Sequence, residues 1–520
     1  MNKHWKKRAL ALVLAALCLL SACGGKQAEE GERRVDNVKV SDAYFGLAYY
    51  QNGTLNPVTD NTSINRLVCE ALYEGLFEIN SHFTAENVLC ADYTGDGTTF
   101  TFTLWDDVTF WSGQPLTAQD AAASLRAAQQ NEASPYHNRM TEVSAIEVLS
   151  EHELRVTLSS PNINFPRLLD IPIYREGSDG FADGTGPFRP VNEDGKLALV
   201  ANEAWHGGFL GSIRRIELVS VTRADAAVAS FQTGDVSLIR QPRIAPEAPS
   251  YGGSVDTVRT AGAEMHYLGI NYNNAKLADA RVRQALSAAI SRQSLCDVQL
   301  QTFADPAVLP VNPQPMDDSL ALRMTADTES AVNLLREAGQ SSPAPEDEDG
   351  EEDGEDGGDG ESGGDAAGAP EWSFRLLVNS DNAFKTAVAD QLAASWAAVG
   401  VKVTVDKQPF ETFVSKLQSG DFDLYYGETL LTPDFDLRPL ISAGGRLNYG
   451  GYASETTASA VSAARRGEDI AALYRHLLTE MPIIPLAFER GQLIIRKGLV
   501  NGLTPSPYNA FAGLEDWTSE

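Results

Sequence analysis

The chain holds five cysteines and seven histidines in 520 residues, and neither type is arranged for chemistry. No C-x-x-C spacing occurs, so a thiolate metal site or a dithiol redox centre has no basis in the sequence. His4, His82, His137, His152, His206, His266 and His476 are scattered, and H-E-x-x-H is not present. The Gly-Thr-Gly at 184–186 completes neither of the phosphate-loop patterns G-x-G-x-x-G and G-x-x-x-x-G-K-[ST], and a proline follows it. Close carboxylates, Asp106-Asp107 and Asp434-x-Asp436, read as loop or capping residues rather than as an acid/base pair. No catalytic residue, cofactor or metal is therefore expected. Positive charge is also scarce: 41 Lys and Arg face 71 Asp and Glu, a formal net charge of −30. Such a surface repels phosphate backbones, which excludes nucleic acid as a partner.

Long apolar runs are lacking too, except Ala9–Leu20, which at about a dozen residues is too short for a resident spanning helix. Lys3, Lys6, Lys7 and Arg8 precede it, so residues 1–22 read as a signal peptide. Its removal takes the net charge from −30 to −34. Leu20-Ser21-Ala22-Cys23 has the form of a bacterial lipobox, which makes Cys23 the expected lipidation site and the chain a lipid-anchored, extracytoplasmic protein. Residues 23–36 form a polar tether. The remaining cysteines are Cys69, Cys90 and Cys296, and a Cys69–Cys90 disulfide is open in an oxidising compartment.

What is present is most legible at 99–125. Phe100, Phe102 and Leu104 alternate with Thr99, Thr101 and Thr103 as in a half-buried strand, and Val108-Phe110 repeats the alternation after Asp106-Asp107. Ser112-Gly113-Gln114-Pro115 is turn chemistry. Thr117 and Asp120 have capping-box spacing before an Ala-rich run, which predicts a helix from Ala118. Val108, Phe110, Gly113, Pro115, Leu116, Thr117, Ala118 and Asp120 together resemble the signature of the family 5 extracellular solute-binding proteins, the binding components of peptide- and nickel-type ABC transporters. Ser112 and Trp105 depart from that signature.

Further segments resemble the family in the same order. They are Leu55-Asn56-Pro57, Tyr73-Glu74-Gly75-Leu76, Gly184-Thr185-Gly186-Pro187-Phe188 and Asn202-x-x-Trp205-x-Gly207-Gly208. Asp279-x-Arg281-Val282-Arg283-Gln284-Ala285, Gly420-Asp421-Phe422-Asp423, Pro433-Asp434 and Met481-Pro482-Ile483-Ile484-Pro485 follow. The arginines at 281–292 read as surface pairing plus one buried structural arginine. Gly339 is the expected C-cap of a helix over 331–338. Residues 341–370 carry twelve acidic and no basic residues among Gly, Ser, Pro and Ala. They cannot bury enough apolar surface to offset chain entropy, so disorder is expected. Beyond them, a strand at 372–378, a helix at 388–396 and a strand at 400–405 form a β-α-β unit and imply a parallel pair.

The resemblance implies an α/β, two-lobed periplasmic-binding-protein-like fold (type II, the large cluster with an extra subdomain), its lobes joined by a hinge. The expected division is 37–264 for the first lobe with its subdomain, 265–487 for the second lobe, with the 341–370 insert inside it, and 488–520 returning to the first. The function implied is capture of a short peptide between the lobes and delivery to ABC permease subunits, by a monomer. Nickel-chelate or oligosaccharide import, and a non-transport peptide sensor, stand as alternatives. The resemblance further implies that an aspartate near "D-P-D" takes the peptide ammonium, here Asp434 or Asp436. Tyr425, Tyr426, Tyr452, Asn448, Tyr50 and Asn52 complete the expected ligand-binding set.

Overall fold

The computed structural model describes residues 44–518, apart from 54, 61, 176–180, 209–210, 241–243, 245–253, 316 and 341–371. Cys23, the expected signal peptide and tether, and the 341–370 tract lie outside the described residues.

Strand β1 (Gly46–Tyr50) leads into the helix Ser63–Leu72 and then a small hairpin, β2 (Phe77–Ile79) and β3 (Ala85–Asn87). A four-stranded antiparallel sheet follows, made of β4 (Cys90–Gly95), β5 (Thr99–Leu104), β6 (Val143–Val148) and β7 (Glu153–Leu158) in the order β4-β5-β7-β6. In β5 the alternation works as read: Phe100, Phe102 and Leu104 are at most 2% exposed, and the threonines between them are only half-buried. The helix Ala118–Gln130 lays Ala118, Ala121, Leu125 and Ala128 into the same core. Its first turn is tied by Thr117 N donating to Asp120 Oδ2 at 2.9 Å. Arg175 donates to both oxygens of Asp120 at 2.8 Å, and with Thr117 it outweighs burial to hold that carboxyl below its ordinary range. Val108–Phe110 does not form a second strand. A single bridge, Thr109 to Pro115, closes a turn there, while Val108 and Phe110 are still buried.

The chain returns through β8 (Phe188–Glu193), β9 (Lys196–Ala201) and β10 (Arg215–Val221), giving a sheet of order β1-β10-β9-β8 with β1 and β10 parallel. A helix, Ala224–Thr233, and β11 (Leu238–Arg240) precede β12 (Val255–Ile270). The second half of the molecule adds β13 (Ala304–Pro306), β14 (Trp372–Asn379), β15 (Val401–Gln408), β16 (Leu424–Leu430) and β17 (Ile484–Arg496). They form a seven-stranded sheet, β11-β17-β12-β16-β14-β15 with β13 on β17. Strands β14 and β15 are parallel, and the helix Ala383–Ala397 crosses between them, as the β-α-β order requires.

Asp279 caps the helix Ala280–Ala288, and two arginines are buried here rather than one. Arg283 donates to the carbonyls of Leu277, Ala278 and Glu480, and Arg292 to those of Ala307 and Pro485. The helix Thr328–Gln340 runs through Gly339, so that glycine is not its cap.

The two longest strands, β12 with 16 residues and β17 with 13, join the lobes. At one end Leu493 and Ile495 belong to the core of the β1 sheet, and at the other Leu268, Ile484 and Leu486 belong to the core under β14. Between these ends their register shifts, from Thr260 opposite Gly491 to Glu264 opposite Glu489. A Cβ on Gly262 would lie 1.6 Å from the Glu489 carbonyl oxygen, so glycine alone permits this close crossing. A bulge with small residues at a two-strand connection is where a lobe-closing motion would concentrate.

Cys69, Cys90 and Cys296 are all buried free thiols. Cys69 and Cys90 are not bridged: the Cys69 thiol lies 3.7 Å from the Leu55 carbonyl oxygen and the Cys90 thiol 3.2 Å from that of Asp92. Burial pushes Cys90 and Cys296 up to about 12, which leaves them unreactive.

Candidate functional site

A cavity of about 1030 Å³ opens against the shifted register of β12 and β17. On one side stand the helix Ser63–Leu72, the segment 73–79 and the C-terminal segment 507–514, and on the other Ala261–Glu264, Leu430 and Glu489–Gln492. The volume lies at the top of the ordinary range for small-molecule sites, about 300–1,000 Å³. That suits a ligand larger than one amino acid.

The helix Ser63–Leu72 positions its share of the wall by amphipathicity. Leu67, Val68, Ala71 and Leu72 face the core, while Ser63, Arg66 and Glu70 remain on the polar side. Glu70 accepts from Arg240 Nη2 at 2.8 Å and from the Ala510 amide at 2.7 Å, which fixes the C-terminal segment over the cavity.

Glu74 follows the helix and ties its own motif to two others. It accepts from Thr185 Oγ1 at 2.9 Å and from Trp205 Nε1 at 3.0 Å, and His206 Nε2 lies 3.0 Å from Oε2. The glycines around Thr185 allow this approach, since a Cβ on Gly186 would sit 2.5 Å from the Leu72 carbonyl oxygen. Arg139 forms an ion pair with Asp170, both about nine-tenths buried, and its guanidinium lies 5.2 Å from the Tyr136 ring centre and 5.5 Å from that of Tyr508.

Several polar atoms of the wall are unmatched. Gln492 Nε2 and Tyr508 Oη are buried without a hydrogen-bond partner among the described residues. Glu264 and the Arg66 guanidinium have none among the described residues. Burial, then the Glu428 and Glu489 carboxylates, push the Glu264 carboxyl above its ordinary range. No group of three or more His, Cys, Asp or Glu side chains among the described residues could hold a metal ion.

The model of bacterial extracellular solute-binding proteins, family 5 Middle, matches residues 84–445. The chain belongs to this family. It is 26% identical over 304 residues to the glutathione-binding protein GsiB of Salmonella typhi, a match covering 55% of the chain and 59% of that relative's length. The oligopeptide-binding protein OppA of Bacillus subtilis is 23% identical over 472 residues, covering 82% of the chain and 81% of OppA. NikZ from Campylobacter jejuni, solved in complex with Ni(L-His), superposes with a TM-score of 0.60 at 19% identity, covering 92% of this chain and 99% of NikZ. These matches establish the two-lobed fold of family 5.

The residues expected from the family resemblance to bind ligand lie elsewhere. None of the eight is among the described residues lining the cavity. Asp434 is half-buried and already accepts from Asn162 Nδ2 at 2.9 Å and from Thr432 Oγ1 at 2.6 Å; desolvation and then Asp436 raise its carboxyl. Asp436 is held by Arg438 Nη2 at 2.6 Å. Tyr425 Oη meets Tyr267 Oη at 3.2 Å, Tyr426 Oη meets His266 Nδ1 at 3.0 Å, and Tyr452 Oη meets Thr457 Oγ1 at 2.6 Å. Asn448 closes its own loop on the Ser442 and Tyr452 carbonyls. Tyr50 and Asn52 sit at the end of β1 and in the exposed turn after it. Of the motifs read from sequence, Tyr73-Glu74-Gly75 does line the cavity. Arg66, Glu264 and Gln492 also line it and carry no motif in the sequence; β12 and β17 hold other charged side chains, so nothing local singles out the last two.

Proposed function

We propose that the protein captures a short peptide in the cavity beside β12 and β17, closes its lobes on it and delivers it to the transmembrane subunits of an ABC permease. It does so as a monomer without catalysis or cofactor, on the outer side of a membrane to which acylated Cys23 anchors it. The cavity carries the reading. It is large and lies against the strand pair that joins the lobes, with unmatched Gln492 Nε2 and Tyr508 Oη available to peptide carbonyls. The names of GsiB and OppA point to the same ligand class.

Mass spectrometry of material released on denaturing freshly purified protein tests it. Peptides of a few residues are expected, in near-stoichiometric amount. Recovery of a nickel–histidine chelate or an oligosaccharide instead would overturn the peptide reading.

A further inference from the structure

The cavity wall contains an amide that is shut away from water and has no partner inside the protein. Gln492, in β17, is 4% exposed; its Nε2 is buried, and its side chain makes no hydrogen bond among the described residues. Glu70, Glu74 and Asp170 of the same wall are, by contrast, each held by a partner from another segment. A primary amide carries two donors and an acceptor, and in a dry place it is less favourable than an apolar side chain of the same size unless they are matched. A ligand that matches them recovers that loss.

The surroundings of Gln492 define which ligand group can do so. Alternation along β17 puts it on the face of Ile494 rather than that of Leu493. Ile494 packs there with Ala48, Ala227 and Ile239, three residues that also line the cavity. Arg259, opposite Gln492 on β12, is exposed and stands outside the cavity wall. This stretch of wall is therefore apolar apart from the amide. An ionised side chain entering it would lose its water without gaining a counter-charge, and an aliphatic one would leave the amide unmatched. A carboxamide avoids both losses. Its carbonyl oxygen accepts from Gln492 Nε2 while its own N–H donates to Gln492 Oε1, and turning either amide over exchanges donor and acceptor without changing the fit.

Resting on the peptide reading above, we propose that Gln492 forms a side-chain subsite for a carboxamide, so that the cavity prefers peptides with Asn or Gln at one position.

The test uses the full chain and four tetrapeptide libraries with free ends, each built on alanine and carrying Gln, Asn, Leu, Met, Glu or Asp at one of the four positions. Each library is incubated with protein, and the retained members are quantified by mass spectrometry. At one position the wild type is expected to retain the Gln or Asn member about fivefold better than the other members, the discrimination of one matched neutral hydrogen bond. Gln492→Leu should turn that preference towards Leu and Met, and its melting temperature should not fall, because an unmatched amide gives way to an apolar group among apolar neighbours. An amide held for structural reasons would instead lower the melting temperature of Gln492→Leu and weaken all members alike, which would overturn the assignment. Equal retention of all members at every position, a preference for Glu and Asp, or a carboxamide preference that persists in Gln492→Leu would overturn it too, while leaving peptide binding in place. Retention of no library would overturn the peptide reading and the assignment together.

Discussion

The cavity and the contact of segment 142–163 with segment 434–465 are both dense in charge, but only the second is internally satisfied. Glu142, just before β6, accepts from Arg438 through two bonds of 2.6 and 2.8 Å and also from Arg465. Arg438 is shared with Asp436, and the Ile163 amide donates to the Arg465 carbonyl oxygen at 2.8 Å. Asn162 caps Asp434 from the same loop. Every one of these groups has its partner. In the cavity, the Arg66 guanidinium, the Glu264 carboxyl, Gln492 Nε2 and Tyr508 Oη have none among the described residues. Saturated charge holds two parts of a chain together, while unsaturated charge on a concave wall is available to a ligand.

The largest effect that would break this comparison is on stability. Arg438→Ala removes the bidentate partner of Glu142 and the close partner of Asp436, both more than three-quarters buried. We expect a loss of about 2–3 kcal/mol in urea unfolding, below the about 3–5 kcal/mol of a fully buried pair because Arg465 remains. A loss under about 0.5 kcal/mol would show that the contact is ornamental.

Next in size is a pH effect at the same place. Although burial opposes it, Arg438, Ser160 and Arg465 hold the Glu142 carboxyl down at about 2. Its folded value lies below the ordinary 4.5, so its contribution is complete above 4.5 and is lost as pH falls towards about 2. With solvent screening of this partly buried group, roughly 1–2 kcal/mol should disappear across that window. Glu142→Gln should flatten that part of the stability profile. An unchanged slope would contradict the account.

A smaller effect separates the two regions by function. Asp434→Asn keeps an acceptor for Asn162 and Thr432, and it should change peptide affinity by less than about twofold in calorimetry, the scale of an uninvolved site. A loss of tenfold or more would return the ammonium site to Asp434. The smallest expected effect is that of deleting residues 341–370, between Gln340 and Trp372. Changing the length of a chain connection alters closure entropy by only about 0.6 kcal/mol per doubling, so melting temperature and affinity should hardly move. A shift of several degrees would mean that the tract packs on the fold.

Local signals were legible in the sequence. The Thr/Phe alternation of β5, the Thr117–Asp120 cap and the parallel β14–β15 pair each depend on neighbours within one or two elements. Val108–Phe110 misled because apolar alternation records burial, and a turn can bury the same side chains without a partner strand. Gly339 misled because a helix with buried Ala331, Leu335 and Ala338 tolerates a glycine one residue before its end.

The site was less legible for a topological reason. Arg66, Glu74, Arg139, Glu264, Gln492 and Tyr508 come from distant segments that only the fold brings to one wall. Motif residues mark what the fold must satisfy internally: Glu74 is held by Thr185 and Trp205, and Asp434 by Asn162. Unmatched side chains become visible only when all their neighbours are in place.

The most direct measurement of the central claim is photo-cross-linking with a free tetrapeptide library carrying a diazirine side chain, followed by mass spectrometry of the modified peptides. Adducts are expected in the cavity-lining segments 63–79, 261–264, 489–492 and 507–514. Adducts confined to 425–452, around Asp434, Asn448 and Tyr452, would contradict that claim.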